Sequence, residues 1–358
     1  MSDTQLVREV GLKSFGCKAL IKTGMSEEDA RLAIDVLVEA DLRGVYSHGV
    51  VRLPIYVERL RAGVMDPAPR LRVLRDKPST CVYDGGNGIG MLVGVRSMEV
   101  AIEKARASQA PAFVAVQNSN HYGAAAYFAE QAADAGMIGF SFTIGGINHM
   151  APWGGRAPIL GNNPFAIAMP TPCGFNVVLD MACSVAARGK IIVAARNGDP
   201  IPPDWALGPD GLPTTDASEA LKGLVQPVGG PKGYALTLMI GLLSTMLTEA
   251  FFGSEVTHLY DDLENPQNIG HLQGAMPIDL FQDRDRYDAR MEKAVREVQG
   301  TDKAAGVERI YLPGEREYIS REKARSEGIP LGAGVLDDLR ATGRDLGIDF
   351  DTEIAAYE

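Results

Sequence analysis

An imidazole and a guanidinium stand four residues apart in Ser47-His48-Gly49 and Arg52, a spacing that joins a proton donor to a carboxylate clamp on one short segment. Imidazole titrates near neutrality, so it can give or take a proton under ordinary conditions. The planar guanidinium fork matches a carboxylate with two parallel hydrogen bonds. A second candidate acid or base, His121, lies in Asn118-Ser119-Asn120-His121-Tyr122-Gly123, and the chain holds only five histidines. These residue types point to an enzyme acting on a small acidic substrate, with Ser47 as a polar neighbour of His48.

The elements that must position these groups are legible in outline. Ser26 followed by Glu27, Glu28 and Asp29 marks a helix start, and Ala30, Ile34, Leu37 and Ala40 give that helix an apolar face. Beyond the Ser47-His48 turn, Leu53, Tyr56, Val57 and Leu60 repeat at helical spacing until Gly63, which places Arg52 at a helix start. Short apolar runs at Leu71 to Leu74, Thr80 to Tyr83, Phe113 to Val116 and Ile138 to Thr143 predict strands. Helices are expected at Met98 to Ala107 and Ala124 to Ala133, so the centre is mixed α/β. Asp180 closes a further apolar run, Asn176 to Leu179, and Pro200 to Pro213 is expected to be a loop around Trp205. Tyr234 to Leu247 is apolar almost all round, the mark of a buried or subunit-interface helix, and Ser320 to Leu346 is expected to be charged amphipathic helix.

Composition excludes several function classes. A net charge of -11 opposes a nucleic-acid or anionic-membrane partner, so an anionic ligand must be held by a local cation such as Arg52. The chain is 46% hydrophobic and 23% charged, as globular chains are, and no apolar run reaches the roughly 18 residues of a membrane span. Met1-Ser2-Asp3-Thr4-Gln5 lacks the layout of a secretory signal, so a cytoplasmic location is expected. Cys17, Cys81, Cys173 and Cys183 are scattered without a CxxC pair and are expected to be free thiols. His149, His258 and His271 show no H-x-H or H-E-x-x-H spacing, so no metal is expected. Ser47 lacks the G-x-S-x-G elbow of a serine hydrolase.

Two glycine-rich stretches bear on a nucleotide. Asp84-Gly85-Gly86-Asn87-Gly88-Ile89-Gly90 follows an expected strand, but it does not match G-x-G-x-x-G, and no strand ends in an acidic ribose ligand about 20 residues later. A tight turn is expected there. Thr143 to Gly155, running into Leu160-Gly161-Asn162-Asn163-Pro164, would let backbone amides approach a diphosphate or nicotinamide, and a plain loop explains it equally well.

With Ser47-His48-Gly49, Arg52 and Asn120-His121-Tyr122-Gly123 go Ala151-Pro152-Trp153-Gly154-Gly155, Gly161-Asn162-Asn163-Pro164, Asp180-Met181-Ala182 and Ala187-Arg188-Gly189-Lys190. Gly229-Gly230-Pro231-Lys232-Gly233-Tyr234, Gln267-Asn268-Ile269-Gly270-His271 and Leu312-Pro313-Gly314-Glu315 follow. Over nearly its whole length the chain thereby resembles the non-Rossmann malate/L-lactate dehydrogenase family. That family includes ureidoglycolate, sulfolactate and diketogulonate dehydrogenases and piperideine- and pyrroline-2-carboxylate reductases.

The resemblance implies an α/β (α+β) protein: a non-Rossmann NAD(P)-binding fold with a largely antiparallel sheet, plus a helical N-/C-terminal domain. Residues 1–70 with 330–358 would form the helical domain carrying Ser47, His48 and Arg52, and 71–329 the cofactor domain, helical around 231–300. It implies NAD or NADP as cofactor, and a homodimer or dimer-based oligomer with the active site near the subunit interface. Cofactor contacts would come from Gly145, Asp180, Met181, Ala182, Arg188, Lys232, Pro313, Gly314 and Glu315, and a second substrate contact from Asn162. Relatives often carry serine where Gly145 stands, so backbone would replace a side-chain contact there. Some imine reducers carry an acid, taken to orient the histidine, where this chain has Lys190, which cannot do that.

Reducing a 2-oxo acid needs a hydride at the carbonyl carbon and a proton at its oxygen. His48 is the expected proton donor, and acceptor in the reverse direction; in some relatives the histidine matching His121 is given that role. Hydride transfer between nicotinamide and a small malate- or lactate-like 2-hydroxy acid is therefore expected. Reduction of cyclic imine carboxylates is the alternative, and a non-catalytic carboxylate or nucleotide sensor a third. A sensor has no need of a proton donor beside a clamp.

Overall fold

Strand β1 (Thr4–Val7) and helices α1 (Glu9–Ile21) and α2 (Glu27–Leu42) begin the computed structural model, which describes residues 4–357. Residues 1–3, read above for a targeting signal, lie outside the described residues. Ser26 caps α2, its Oγ accepting from the Asp29 amide, and three acidic residues sit in the first turn against the positive helix end. Two short 3-10 turns, Tyr46–His48 and Val50–Arg52, lead into α3 (Leu53–Ala62). Gly63 closes α3 at φ 76°, a left-handed conformation natural to glycine.

Next come β2 (Arg72–Asp76), β3 (Thr80–Asp84), α4 (Gly90–Ser108), β4 (Ala112–Ser119), α5 (Ala125–Asp134), β5 (Met137–Thr143), β6 (Phe165–Met169) and β7 (Val177–Met181). After them the chain forms α6 (Arg188–Asn197), β8 (Ala206–Leu207), α7 (Ala217–Lys222), β9 (Leu224–Val225) and α8 (Pro231–Thr245). It ends with β10 (Ile269–Pro277), α9 (Arg284–Gln299), α10 (Glu315–Glu327), β11 (Ile329–Gly332), α11 (Ala333–Leu346) and α12 (Phe350–Ala355).

Seven strands form one sheet in the order β2-β3-β4-β10-β5-β6-β7. Every pairing is antiparallel except β3 with β4, so the sheet is the largely antiparallel, non-Rossmann one expected. The single parallel pair is bridged by α4, and its entry is the Asp84–Gly90 turn. There Asp84 Oδ1 accepts from the Gly86 amide and from Asn118 Nδ2, each at 2.9 Å. A Cβ on Gly90 would stand 2.1 Å from the Asn120 carbonyl oxygen, so glycine lets α4 start against the segment that carries His121.

Three stretches differ from the sequence expectation. β10 lies inside the segment expected to be helical, yet it is the central strand and is buried along nearly its whole length. Its histidine finds partners inside the sheet: His271 Nδ1 bonds Thr143 Oγ1 at 2.7 Å and its Nε2 bonds Ser119 Oγ at 2.8 Å. The charged C-terminal stretch is not one helix, because β11 divides α10 from α11 and pairs antiparallel with β1. α4 starts at Gly90 rather than Met98, its Gly94 lying against the Phe128 ring.

A large core joins α1, α2, α4 and α5 to the sheet through residues such as Phe15, Ile34, Leu37, Val95, Val114 and Phe128. A smaller one gathers Met150, Leu160, Ile191, Ile201 and Val225 near α6 and α7. α8 buries Thr237, Ile240 and Ser244 but leaves Leu236, Met239 and Leu243 exposed, and Met246 and Leu247 are exposed in the turn that follows it. Among the described residues no helix is long and apolar enough to cross a membrane.

Candidate active site

A cleft of about 640 Å³ runs between the α2–α3 segment, the starts of α5 and α6, the loop after β5 and the turn before α10. Its wall includes Ser47, His48, Arg52, His121, Gly145, Asn162, Asp180, Met181, Ala182, Arg188, Pro313 and Gly314. Residues spread over more than 260 positions are thus brought to one surface. Lys232 and Glu315 do not line it. Lys232 is exposed at the start of α8, and Glu315 is buried, accepting from the Leu312 amide and from Gln299 and pairing with Arg309. Lys190 is exposed, its ammonium 5.9 Å from the Trp205 ring centre.

The two histidines face each other, with ring centroids 5.9 Å apart and planes within 19°. Ser47 Oγ is 2.9 Å from His48 Nδ1. His121 Nδ1 is 2.7 Å from the hydroxyl of Tyr56, a fully buried phenol one turn along α3 from Arg52. Arg52 Nε donates to the Ser47 carbonyl at 2.7 Å, and its guanidinium lies 5.4 Å from the Tyr260 ring centre. Its two terminal nitrogens have no hydrogen-bond partner among the described residues. Anchored at Nε beside a ring, the fork keeps a free edge that would match a carboxylate.

Burial and the Arg52 charge lower the His48 pKa to about 4. Burial, then His48, Arg52 and His271, hold His121 well below the ordinary histidine value. Both rings are therefore neutral at physiological pH with the cleft empty of anions. A bound carboxylate would neutralise Arg52 and lift His48. Asp180 Oδ2 accepts from the Ala126 amide at 3.2 Å.

The wall also fits a dinucleotide. α6 starts at Arg188 behind Ala187, with no side-chain cap, so its first-turn amides and positive end favour an anion. A Cβ on Gly189 would meet no atom within 4 Å, so the wall is open there. Arg188 donates one terminal nitrogen to the Leu221 carbonyl at 2.7 Å and brings a positive charge to the same end.

Several residues that build the site were not singled out from sequence. Asp41, buried in the last turn of α2, accepts the Val50 amide at 2.7 Å and so pins the turn between His48 and Arg52. Gly49 lies against that carboxyl, where a Cβ would come within 1.9 Å of Asp41 Oδ1. Arg59, fully buried, donates to the carbonyls of Leu259, Asp262 and Asn265, which holds the segment bearing Tyr260 against Arg52. The α3 periodicity did carry a signal for Tyr56 and Arg59, which follow Arg52 at four and seven residues, on one face. Tyr260 had none, because it reaches the site only through tertiary packing.

Comparison with known proteins gives the family. The family model described as malate/L-lactate dehydrogenase matches residues 7–340. Malate dehydrogenase of Pyrococcus abyssi is 39% identical over 345 residues, 94% of each chain. Ureidoglycolate dehydrogenase (NAD(+)) of Escherichia coli is 35% identical, over 87% of this chain and 88% of that one. The solved sulfolactate dehydrogenase of Methanocaldococcus jannaschii superposes with a TM-score of 0.91 at 36% identity, covering 97% of this chain and 99% of the other. The chain belongs to the malate/L-lactate dehydrogenase family and is an oxidoreductase acting on the CH–OH group of hydroxy acids.

Proposed function

We propose that this protein transfers a hydride between the nicotinamide of NAD or NADP and a small 2-hydroxy acid, malate- or lactate-like, with 2-oxo-acid reduction as the reverse. The observation that carries this is the Arg52 fork, its two terminal nitrogens free, in one cleft with two stacked imidazoles. Arg52 binds the substrate carboxylate and Asn162 is a second polar contact. His48 gives its proton to the carbonyl oxygen in reduction and takes it back in oxidation, with Ser47 steadying Nδ1. When bound, the nicotinamide supplies or accepts the hydride. Arg188, the start of α6, Asp180 to Ala182 and the Pro313-Gly314 turn would hold the cofactor, with Gly145 offering backbone.

The exposed apolar side of α8 supports a homodimer, since Leu236, Met239 and Leu243 recur at helical spacing on it, and exposed Met246 and Leu247 follow directly after its end. The decisive assay follows NADH or NADPH absorbance with 2-oxo acids and then the matching hydroxy acids with oxidised cofactor. Cofactor binding without turnover of any 2-oxo or 2-hydroxy acid would overturn the proposal.

A further inference from the structure

We infer that Tyr56 is a positioning residue that locks His121 as a neutral hydrogen-bond donor, its hydrogen fixed on Nε2, and so leaves proton transfer to His48. The inference deepens the proposed function and rests on the acid/base site named there.

Two groups meet at His121 Nδ1. One is the Tyr56 hydroxyl at 2.7 Å, and the other is the Gly123 amide at 3.4 Å. A backbone N–H only donates, so Nδ1 must present its lone pair to it. The phenol makes the same demand. Tyr56 is fully buried, and His121 is the only hydrogen-bond partner of its hydroxyl among the described residues. A buried hydroxyl hydrogen needs an acceptor. With a hydrogen on Nδ1, the phenol would have to accept, its own hydrogen would be stranded, and the Gly123 amide would face another N–H.

The hydrogen of the neutral ring therefore sits on Nε2. That atom has no partner among the described residues, and the ring lines the cleft beside Gly146. The same two donors oppose protonation of Nδ1, so His121 stays neutral, in keeping with its lowered pKa. A neutral imidazole whose exposed nitrogen already bears hydrogen cannot accept a proton there. It can steady oxygen charge as a carbonyl is reduced.

His48 is differently placed. Its Nδ1 faces a serine hydroxyl, which can donate or accept, and that contact is exposed. Nothing fixes the His48 tautomer, so its ring can cycle between imidazolium and imidazole. In reduction the carbonyl carbon gains the hydride and the oxygen gains the His48 proton, while His121 keeps its hydrogen throughout. α3 and its cap set both partners of this division, since Arg52 stands at the N-cap of α3 and Tyr56 one turn along it.

The first readout uses the whole protein labelled with ¹⁵N-histidine, without substrate, so the tautomer it reports does not depend on which substrate is turned over. Nitrogen resonances assigned with a His121→Gln control should show His121 as the Nε2–H tautomer, neutral down to pH 5. Tyr56→Phe should populate the Nδ1–H form and lower kcat for reduction by roughly 10-fold or more, with KM changed less. His121→Gln, which keeps a side-chain N–H, should retain the wild-type pH profile at reduced kcat, whereas His48→Gln should erase the titrating limb. An Nδ1–H tautomer in the wild-type protein, or loss of the limb in His121→Gln with its retention in His48→Gln, would overturn the inference. So would a Tyr56→Phe protein of normal thermal stability with unchanged tautomer and kcat.

Discussion

Replacing Arg52 by lysine keeps the positive charge and removes the planar fork, which isolates the part of substrate binding that geometry supplies. Arg52 reaches the cleft with Nε tied to the Ser47 carbonyl at 2.7 Å and its face on Tyr260, so its two free nitrogens are already oriented. Each hydrogen bond to a charged group is worth roughly 1.5 to 3 kcal/mol, and lysine can replace one of the pair but neither the second nor the Nε anchor. A loss of about 2 to 3 kcal/mol follows, which is roughly 30- to 150-fold in kcat/KM for a 2-oxo acid. Arg52→Ala removes both bonds, about 3 to 6 kcal/mol, so its loss should exceed that of Arg52→Lys. The assay is initial-rate oxidation of reduced cofactor with substrate varied, beside cofactor affinity measured by fluorescence, which should hold within about twofold of wild type if the clamp is specific for substrate. A ketone lacking the carboxylate should be as poor a substrate for Arg52→Ala as for the wild type. If Arg52→Lys stays within about threefold of wild type in kcat/KM, the guanidinium does not clamp the substrate, and the mechanism built on it fails.

Three further outcomes follow from the geometry. His48→Ala should lower turnover by roughly 10² to 10⁴ while leaving cofactor affinity nearly intact; retained turnover there, with abolition in His121→Ala, would exchange the two roles. Burial raises the Asp41 pKa from 3.8 to about 7, so the folded protein keeps a proton that the unfolded chain releases, and stability should fall as pH rises between those values, by about 4 kcal/mol. Asp41→Asn should remove that slope, and a constant gap in urea midpoint between variant and wild type from pH 5 to 8 would refute it. Leu243→Asp, on the exposed side of α8, should shift a homodimer to monomer in sedimentation velocity, and an unchanged mass would place the interface elsewhere.

Helix ends and turns were legible where the signal is local, whereas the antiparallel sheet and the cofactor side of the cleft came from the family resemblance. Ser26 with its acidic neighbours marked α2, and Gly63 marked the end of α3, because caps and left-handed closures are written in adjacent residues. The glycines of Asp84–Gly90 showed a turn and not a Rossmann fingerprint, as the structure has it. β10 was illegible for the opposite reason. Ile269–Pro277 carries His271 and Gln273, which look unsuited to a core until Thr143 and Ser119, more than 120 residues earlier, supply partners for the histidine. β11 is four residues between two charged helices, and only its pairing with β1 makes it a strand. Within the site, side chains facing the cleft from several elements were found by motif, whereas Asp41 and Arg59 act through backbone groups of other segments and leave no motif of their own.

Absorbance of NADH and NADPH, followed in separate reactions with purified protein and a panel of pyruvate, oxaloacetate, sulfopyruvate, diketogulonate and cyclic imine carboxylates, decides what the cleft turns over. The proposed function predicts oxidation of one reduced cofactor with a 2-oxo acid, and its reversal with the matching 2-hydroxy acid. Turnover confined to the imines, or no turnover across the panel by protein that binds the cofactor, would contradict it.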